Sequence, residues 1–349
     1  MTSHLTELLG SRWPLLQAPM AGVQGSAMAV AVSNAGGLGA LPAAMLSPAQ
    51  LREELTRIKA QTTQPYNVNY FCHTPPTPDA ARAAAWRGAL QPFYDEAGID
   101  SATVAPGVGR SPFTAEAADL LQAFRPSVVS FHFGLPAPEL LAQVRGWGGK
   151  VLSSATTVEE ALWLEAQGVD AVIAQGLEAG GHRGMFLTDD ISSQMGTMAL
   201  LPQVVRAVRV PVIAAGGIVD VASIRAALAM GAAGVQVGTA YLCADEASTS
   251  AIHRQALQGP AARHTALTRL FTGKPARGIM NRLMRELGPM SELAPAFPLA
   301  TTMIGPLRAW AEGQGRGDFT PLWSGQNTSG CKALPAAEIT RLLAQAWEA

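Results

Sequence analysis

Short apolar or β-branched runs, each ending in Gly, Pro, Ser or Asn, recur along the first 242 residues of this 349-residue chain. They read as strands at residues 14–20, 38–44, 67–72, 128–134, 150–156, 171–176, 211–217 and 234–242. Several are apolar throughout, as strands buried on both faces of a parallel sheet are. Helical patterns lie between them. "SPAQLREELTRIKAQ" opens on Ser47-Pro48, a cap followed by proline at the first helical position. "SAMAVAVSNAGG" ends in a glycine pair, "TTVEEALWLEAQGVD" runs from a threonine cap to Gly168, and "DVASIRAALAMGAAG" runs from Asp220 to Gly231. Eight strands alternating with helices predict an α/β fold, a (β/α)8 TIM barrel, with an open doubly wound sheet as the structural alternative. Glycine-rich loops after many different strands favour the barrel, where such loops share one face.

Two stretches break the repeat. Residues 73–127 separate the third and fourth strands by far more than one crossover, and "CHTPPTPDAARAAAWRGAL" reads as an excursion with an added helix. Residues 243–300 read as strand-free, with amphipathic "DEASTSAIHRQALQG" and "ARGIMNRLMRELG" and then a Pro-rich run. The expected organisation is therefore a barrel of residues 1–242 and 301–349, with 243–300 as a small inserted α-helical subdomain. That insert would either cover the barrel mouth or mediate dimer contacts, so monomer and homodimer both stay open.

Composition narrows the classes. Apolar residues make up 48% and charged residues only 15%, with a net charge of -1. Nothing here steers toward nucleic acid or an anionic membrane. The three cysteines form no CxxC pair, so neither a disulfide framework nor a zinc site is indicated and reduced thiols in a cytoplasm are expected. The N-terminus lacks a signal-peptide pattern, and no apolar run approaches the roughly 18 residues of a membrane helix.

Barrel chemistry gathers at the C-terminal ends of the strands. Those ends carry Gln17 to Gly22, Asn69, His132, Ser153-Ser154, Gln175 with its loop to His182, Ala215-Gly216-Gly217, and Gln236 to Thr239. Small and amide-bearing residues suit a flat, hydrogen-bonding heterocycle approached closely by backbone. No carboxylate pair is placed for glycoside chemistry, and no carboxylate–histidine cluster for a metal. Glycines after strands seven and eight, Gly216-Gly217 and Gly238-Thr239, fall where barrels commonly bind phosphate. A phosphate beside an amide-lined flat site implies flavin mononucleotide, FMN. No G-x-G-x-x-G follows the first strand, so a Rossmann site is not indicated.

"QAPMAG", "FHFGLP", "QGLEAGGHRG", "IAAGGI", "VQVGTA" and the late "WSGQ" together resemble the nitronate monooxygenases of the first class, formerly called 2-nitropropane dioxygenases. The similarity runs over nearly the whole chain. "AGGH" and the double phosphate loops also occur in FMN-dependent enoyl-ACP reductases and NADH:quinone reductases, whereas "FHFGLP" looks like the nitronate monooxygenase pattern. The resemblance implies FMN near Asn69, Gln175, Gly180, Gly217 and the run Gln236, Val237, Gly238, Thr239, with its phosphate on Gly217, Gly238 and Thr239. It implies Ala18-Pro19-Met20 along one face of the isoalloxazine, His182 as the catalytic histidine, and His132 and Ser324 near substrate. The implied reaction takes an alkyl nitronate such as propionate 3-nitronate, or a nitroalkane, through a flavosemiquinone and dioxygen to nitrite and a carbonyl compound. An NAD(P)H-dependent FMN reductase of quinones or enoyl thioesters is the alternative, and a flavin-free binding barrel a third.

For the remaining residues the reading is plainer. His4, His253 and His264 read as surface residues and His73 as a loop residue. His132, on an apolar strand between two phenylalanines, suits a satisfied core histidine as well as a substrate contact. Glu178 reads as holding its loop together, and Arg183 as directed away from the site.

Overall fold

The computed structural model describes residues 4–104 and 110–348. Its strands are β1 Leu15–Gln17, β2 Gly39–Pro42, β3 Tyr66–Phe71, β4 Val128–His132, β5 Lys150–Ala155, β6 Ala171–Gln175, β7 Gly181–His182, β8 Val212–Ala215, β9 Gly234–Val237, β10 Thr265–Thr268 and β11 Ala276–Ile279. Eight of these form one parallel sheet in the order β1-β9-β8-β6-β5-β4-β3-β2. A parallel bridge between Leu16 and Leu38 joins the two edges, so the sheet closes as a (β/α)8 barrel. The helices begin where their caps predict. The Ser47 hydroxyl accepts from Gln50 N in a capping box ahead of Pro48–Gln61, and Asp220 with Ser223 does the same for Val221–Ala229.

Strand pleat sorts the side chains into two layers. Leu16, Leu38, Leu152, Ile173 and Ile213 turn into the barrel, where Leu5 and Leu9 of the helix His4–Leu9 plug the floor. Leu41, Val68, Val129, Val172, Val235 and Val237 turn outward and pack under the helices. Apolar layers therefore fill the lower barrel, and the polar inward positions lie toward its C-terminal end.

Residues 243–300 depart from expectation. The helix Ala251–Gln258 is present, but β10 and β11 form an antiparallel pair, extended by β7 into a second sheet of order β10-β11-β7. His182 pairs with Ala276, and Gly181 with Arg277. Leu267, Leu270 and Phe271 stand at helix-like spacing, which hides two four-residue strands that pair with each other and, through β11, with the remote β7. The expected eighth strand also ends early, at Val237, where Thr239–Tyr241 turns into a 3-10 helix. A second core joins the excursion helix Ala80–Ala97 to this part of the chain: Trp86, Leu90, Phe93 and Tyr94 pack with Leu270, Leu283, Ile304, Leu307 and Phe319.

Candidate active site

A cavity of about 210 Å³ opens at the C-terminal ends of the barrel strands. Ala18, Pro19, Met20, Asn69, His132, Gln175, Gly180, His182, Gly217, Gln236, Gly238, Thr239 and Ser324 all line it. Val237 does not. The pleat that turns Gln236 inward sends Val237 into the outer core, where its side chain is fully buried. Its backbone carbonyl instead accepts from Ala18 N at 2.8 Å and positions the Ala18-Pro19-Met20 segment.

The loop after β6 is held from several directions. Gln175 Nε2 donates to the His182 carbonyl at 2.9 Å, and Gln175 Oε1 accepts from Gly184 N at 2.8 Å. Both ends of that amide are thus spent on shaping the loop. Arg183 is fully buried and donates to the carbonyls of Gln175 and Gly176 and to Gln194 Oε1, at 2.6, 2.7 and 3.0 Å. Arg277 of β11 donates to the Leu177 carbonyl at 2.8 Å. Glu178 accepts from the Thr197 amide and hydroxyl, which ties the loop to the next helix. "WSGQ" lies against the same loop: a Cβ on Gly180 would stand 2.5 Å from Gly325 N, so only glycine fits the approach. The Ser324 hydroxyl is turned onto the Gly325 carbonyl at 2.9 Å.

His182 sits in an aromatic box. Its ring centroid lies 5.4 Å from Phe297, 5.6 Å from Trp323, 5.9 Å from Phe133 and 6.1 Å from Phe71. Nε2 pairs with the Thr272 hydroxyl at 2.9 Å, and Nδ1 has no partner among the described residues. Burial, followed by the positive charge of Arg110 and then by His132, Lys274 and His73, drives its pKa well below the usual imidazole range. The resting ring is neutral near pH 7. His132 is also neutral, pushed down to about 4 chiefly by burial. Its Nε2 faces the His182 carbonyl at 3.2 Å, and a carbonyl only accepts, so Nε2 carries the proton. Nδ1 then accepts from the Ser154 hydroxyl at 3.0 Å. His132 is therefore a satisfied histidine that also faces the cavity. Phe133, next to it, adopts φ 70, a left-handed conformation that a bulky residue rarely takes. Strain of this kind is held where surrounding packing enforces it, here between Phe71 and Phe297.

The far end of the cavity suits an anion. Gly216 and Gly217 have φ 119 and 72, and Gly238 caps Thr239–Tyr241. The Gly217 and Gly238 amides have no acceptor among the described residues. Gln236 lines the same cavity, and its Oε1 is buried without a partner among the described residues. No group of three or more His, Cys, Asp or Glu that could hold a metal occurs among the described residues.

Several lining residues lay outside the sequence expectation. His253 is buried, its pKa pushed to about 4 by desolvation, and Nε2 donates to the Trp323 carbonyl at 3.0 Å. Its helix turns an amphipathic face inward, and the neighbouring charges gave it a surface look. His73, outside the lining itself, is buried against Phe297 and bonded to the Arg110 carbonyl. Arg110, Phe71 and Trp323 also line the cavity. They come from the long excursion, a strand end and the C-terminal region, and no local spacing links them.

Fold and site together define a (β/α)8-barrel enzyme whose working cavity lies at the C-terminal strand ends. The family model described as nitronate monooxygenase matches residues 2–345, and the chain belongs to that family. A nitronate monooxygenase from Pseudomonas aeruginosa is 41% identical over 99% of each chain. Among solved structures, a nitroalkane oxidase from Streptomyces ansochromogenes superposes with a TM-score of 0.89 at 38% identity, over 99% of this chain and 97% of the other. FabK from Thermotoga maritima is also similar, with a TM-score of 0.74 at 26% identity over 100% and 96%.

Proposed function

We propose that the enzyme binds FMN and oxidises alkyl nitronates, propionate 3-nitronate among them, with dioxygen to nitrite and a carbonyl compound. Beside family membership, one observation carries this reading: a single cavity joins free backbone donors at two strand-end glycine loops, an unpartnered buried amide oxygen, and a neutral histidine in an aromatic box. These residues fit FMN. Gly217, Gly238 and Thr239 would hold its phosphate, Gln236 would accept from a ring N–H, and Ala18, Pro19 and Met20 would lie along one face of the ring. Asn69 and Gly180 would border it, while Gln175 would act through the loop it pins. When bound, the flavin supplies the one-electron oxidation that the side chains cannot perform.

The protein's own part is to orient substrate, exclude water and place a base. A nitronate arrives already deprotonated, so it asks of His182 only a hydrogen bond and a fixed position. A neutral nitroalkane asks for removal of its α-proton, which the partner-free Nδ1 can accept when Thr272 takes the Nε2 proton as a hydrogen bond. Burial and nearby cations weaken that base, so the site is better matched to the preformed anion. His132 and Ser324 sit beside the same space and would bound the substrate.

Mixing FMN-loaded protein with propionate 3-nitronate in air is expected to consume oxygen and release nitrite. Loaded protein that does neither overturns the reading. Rapid anaerobic bleaching of the flavin by NADPH would select the second reading, an NAD(P)H-dependent reductase of quinones or enoyl thioesters, which the loop features shared with that class favour. We place the enzyme in the cytoplasm, as a monomer or homodimer; its three cysteines are unpaired, and no helix among the described residues is long and apolar enough to cross a membrane.

A further inference from the structure

Arg110 is a cation with no visible counter-charge. It lines the cavity beside Phe71 and His182, with its guanidinium carbon 5.8 Å from the Phe297 ring centroid. Its backbone carbonyl accepts from His73 Nε2 at 2.9 Å, which fixes the chain at this point. Among the described residues no carboxylate and no hydrogen-bond acceptor meets the guanidinium. The preceding residues 105–109, "APGVG", contain no acid that could do so. The neighbouring cations differ. Arg183 and Arg277 are committed to backbone carbonyls, and Lys274 stands 3.8 Å from Asp189.

A guanidinium drawn into phenylalanines costs free energy unless an anion offsets the lost water. The nearby histidines cannot supply one, since an imidazole is neutral or positive. Arg110 also lies close enough to His182 that its charge is the largest influence on that ring after burial. The remaining candidate is the substrate. A nitronate presents two oxygens on one nitrogen in a plane, and the planar fork of arginine is built to meet such a pair.

We propose that Arg110 is the substrate-anion site: its guanidinium holds the nitronate oxygens, while His182 provides a neutral hydrogen-bonding and proton-accepting group. This assignment rests on the nitronate reading above. It divides between two residues what a charged histidine would otherwise do alone.

The test uses the FMN holoenzyme, in which the phosphate cradle is filled, and compares wild type with Arg110→Met and Arg110→Lys. Nitrate, a planar oxyanion that the flavin does not oxidise, serves as the equilibrium probe by calorimetry, alongside steady-state kinetics on propionate 3-nitronate. Arg110→Met is expected to weaken nitrate binding and raise the nitronate KM by about tenfold to a hundredfold, the range for a lost charged hydrogen bond. The KM for neutral nitroethane is expected to rise less, and Arg110→Lys to recover part of the anion affinity. Unchanged nitrate affinity and nitronate KM in a flavin-loaded Met variant would overturn the assignment. Nitrate binding that depends on Arg110 in a wild type without oxygen uptake would leave the anion site standing and remove the nitronate reading instead.

Discussion

Thr272 and the backbone of β11 decide what His182 can do. The ring is held edge-on among aromatic side chains, one nitrogen on a hydroxyl and the other free. His182→Asn keeps a polar group of similar reach and removes the base. Turnover of neutral nitroalkanes is expected to fall by roughly 10² or more, the usual share of a general base, with flavin content unchanged. Nitronate turnover should fall far less, because that substrate brings no proton to remove. Equal losses on both substrates, measured as kcat, would assign His182 to positioning alone. This residue was readable because two glycines and a strand end frame it. Arg110, His73 and His253 were not, since each gains its environment from aromatic or backbone partners far away in sequence. Val237 keeps its side chain out of the cavity for a local reason: along the run from Gln236 the period-2 pleat admits only every other side chain.

The β6–β7 loop shows how elements divide the work. The barrel supplies the strand end, and the second sheet grips the loop from outside through β7 and β11. Arg183 bridges the two, filling with a buried cation a place where three oxygens converge. Burial holds its pKa down to about 9, still charged at neutral pH. Arg183→Leu would leave those acceptors buried and unpaired, which is expected to destabilise the protein by about 3 kcal/mol or more. Urea unfolding measures this, and a change under about 1 kcal/mol would show that water or repacking replaces the guanidinium. The eight barrel strands and their capped helices were legible because each is a local pattern: an apolar run, a cap, a glycine stop. β10 and β11 were not, because strands of four residues owe their existence to pairing with each other across the turn, and β7, which extends their sheet beside β11, is only two residues long.

Among the described residues, four histidines sit desolvated with no carboxylate bonded to them, His73 among them with its pKa lowered by burial, and this sets how the fold responds to acid. His132 and His253 are pushed to about 4, and His182 lies well below its ordinary range. An unfolded chain titrates them near 6.5. Above that pH both states are neutral and these residues contribute no slope. Below it the unfolded chain takes up protons that the folded chain refuses, so stability falls as pH drops, until His132 and His253 themselves protonate near pH 4. Each of those two contributes on the order of 3 kcal/mol over that interval. The structural carboxylates held below their usual values, such as Asp220 bonded to Ser223, lose their contribution only at lower pH. Urea unfolding at fixed, saturating FMN is therefore expected to show a plateau from pH 8 to about 6.5, then a steep decline toward pH 4.5. His253→Gln, which keeps a donor within reach of the Trp323 carbonyl, is expected to make that decline shallower while leaving the plateau in place. A wild-type profile flat down to pH 4.5 would mean that the cavity admits enough water to solvate the imidazolium forms, and the neutral His182 on which the division of labour with Arg110 depends would fall with it.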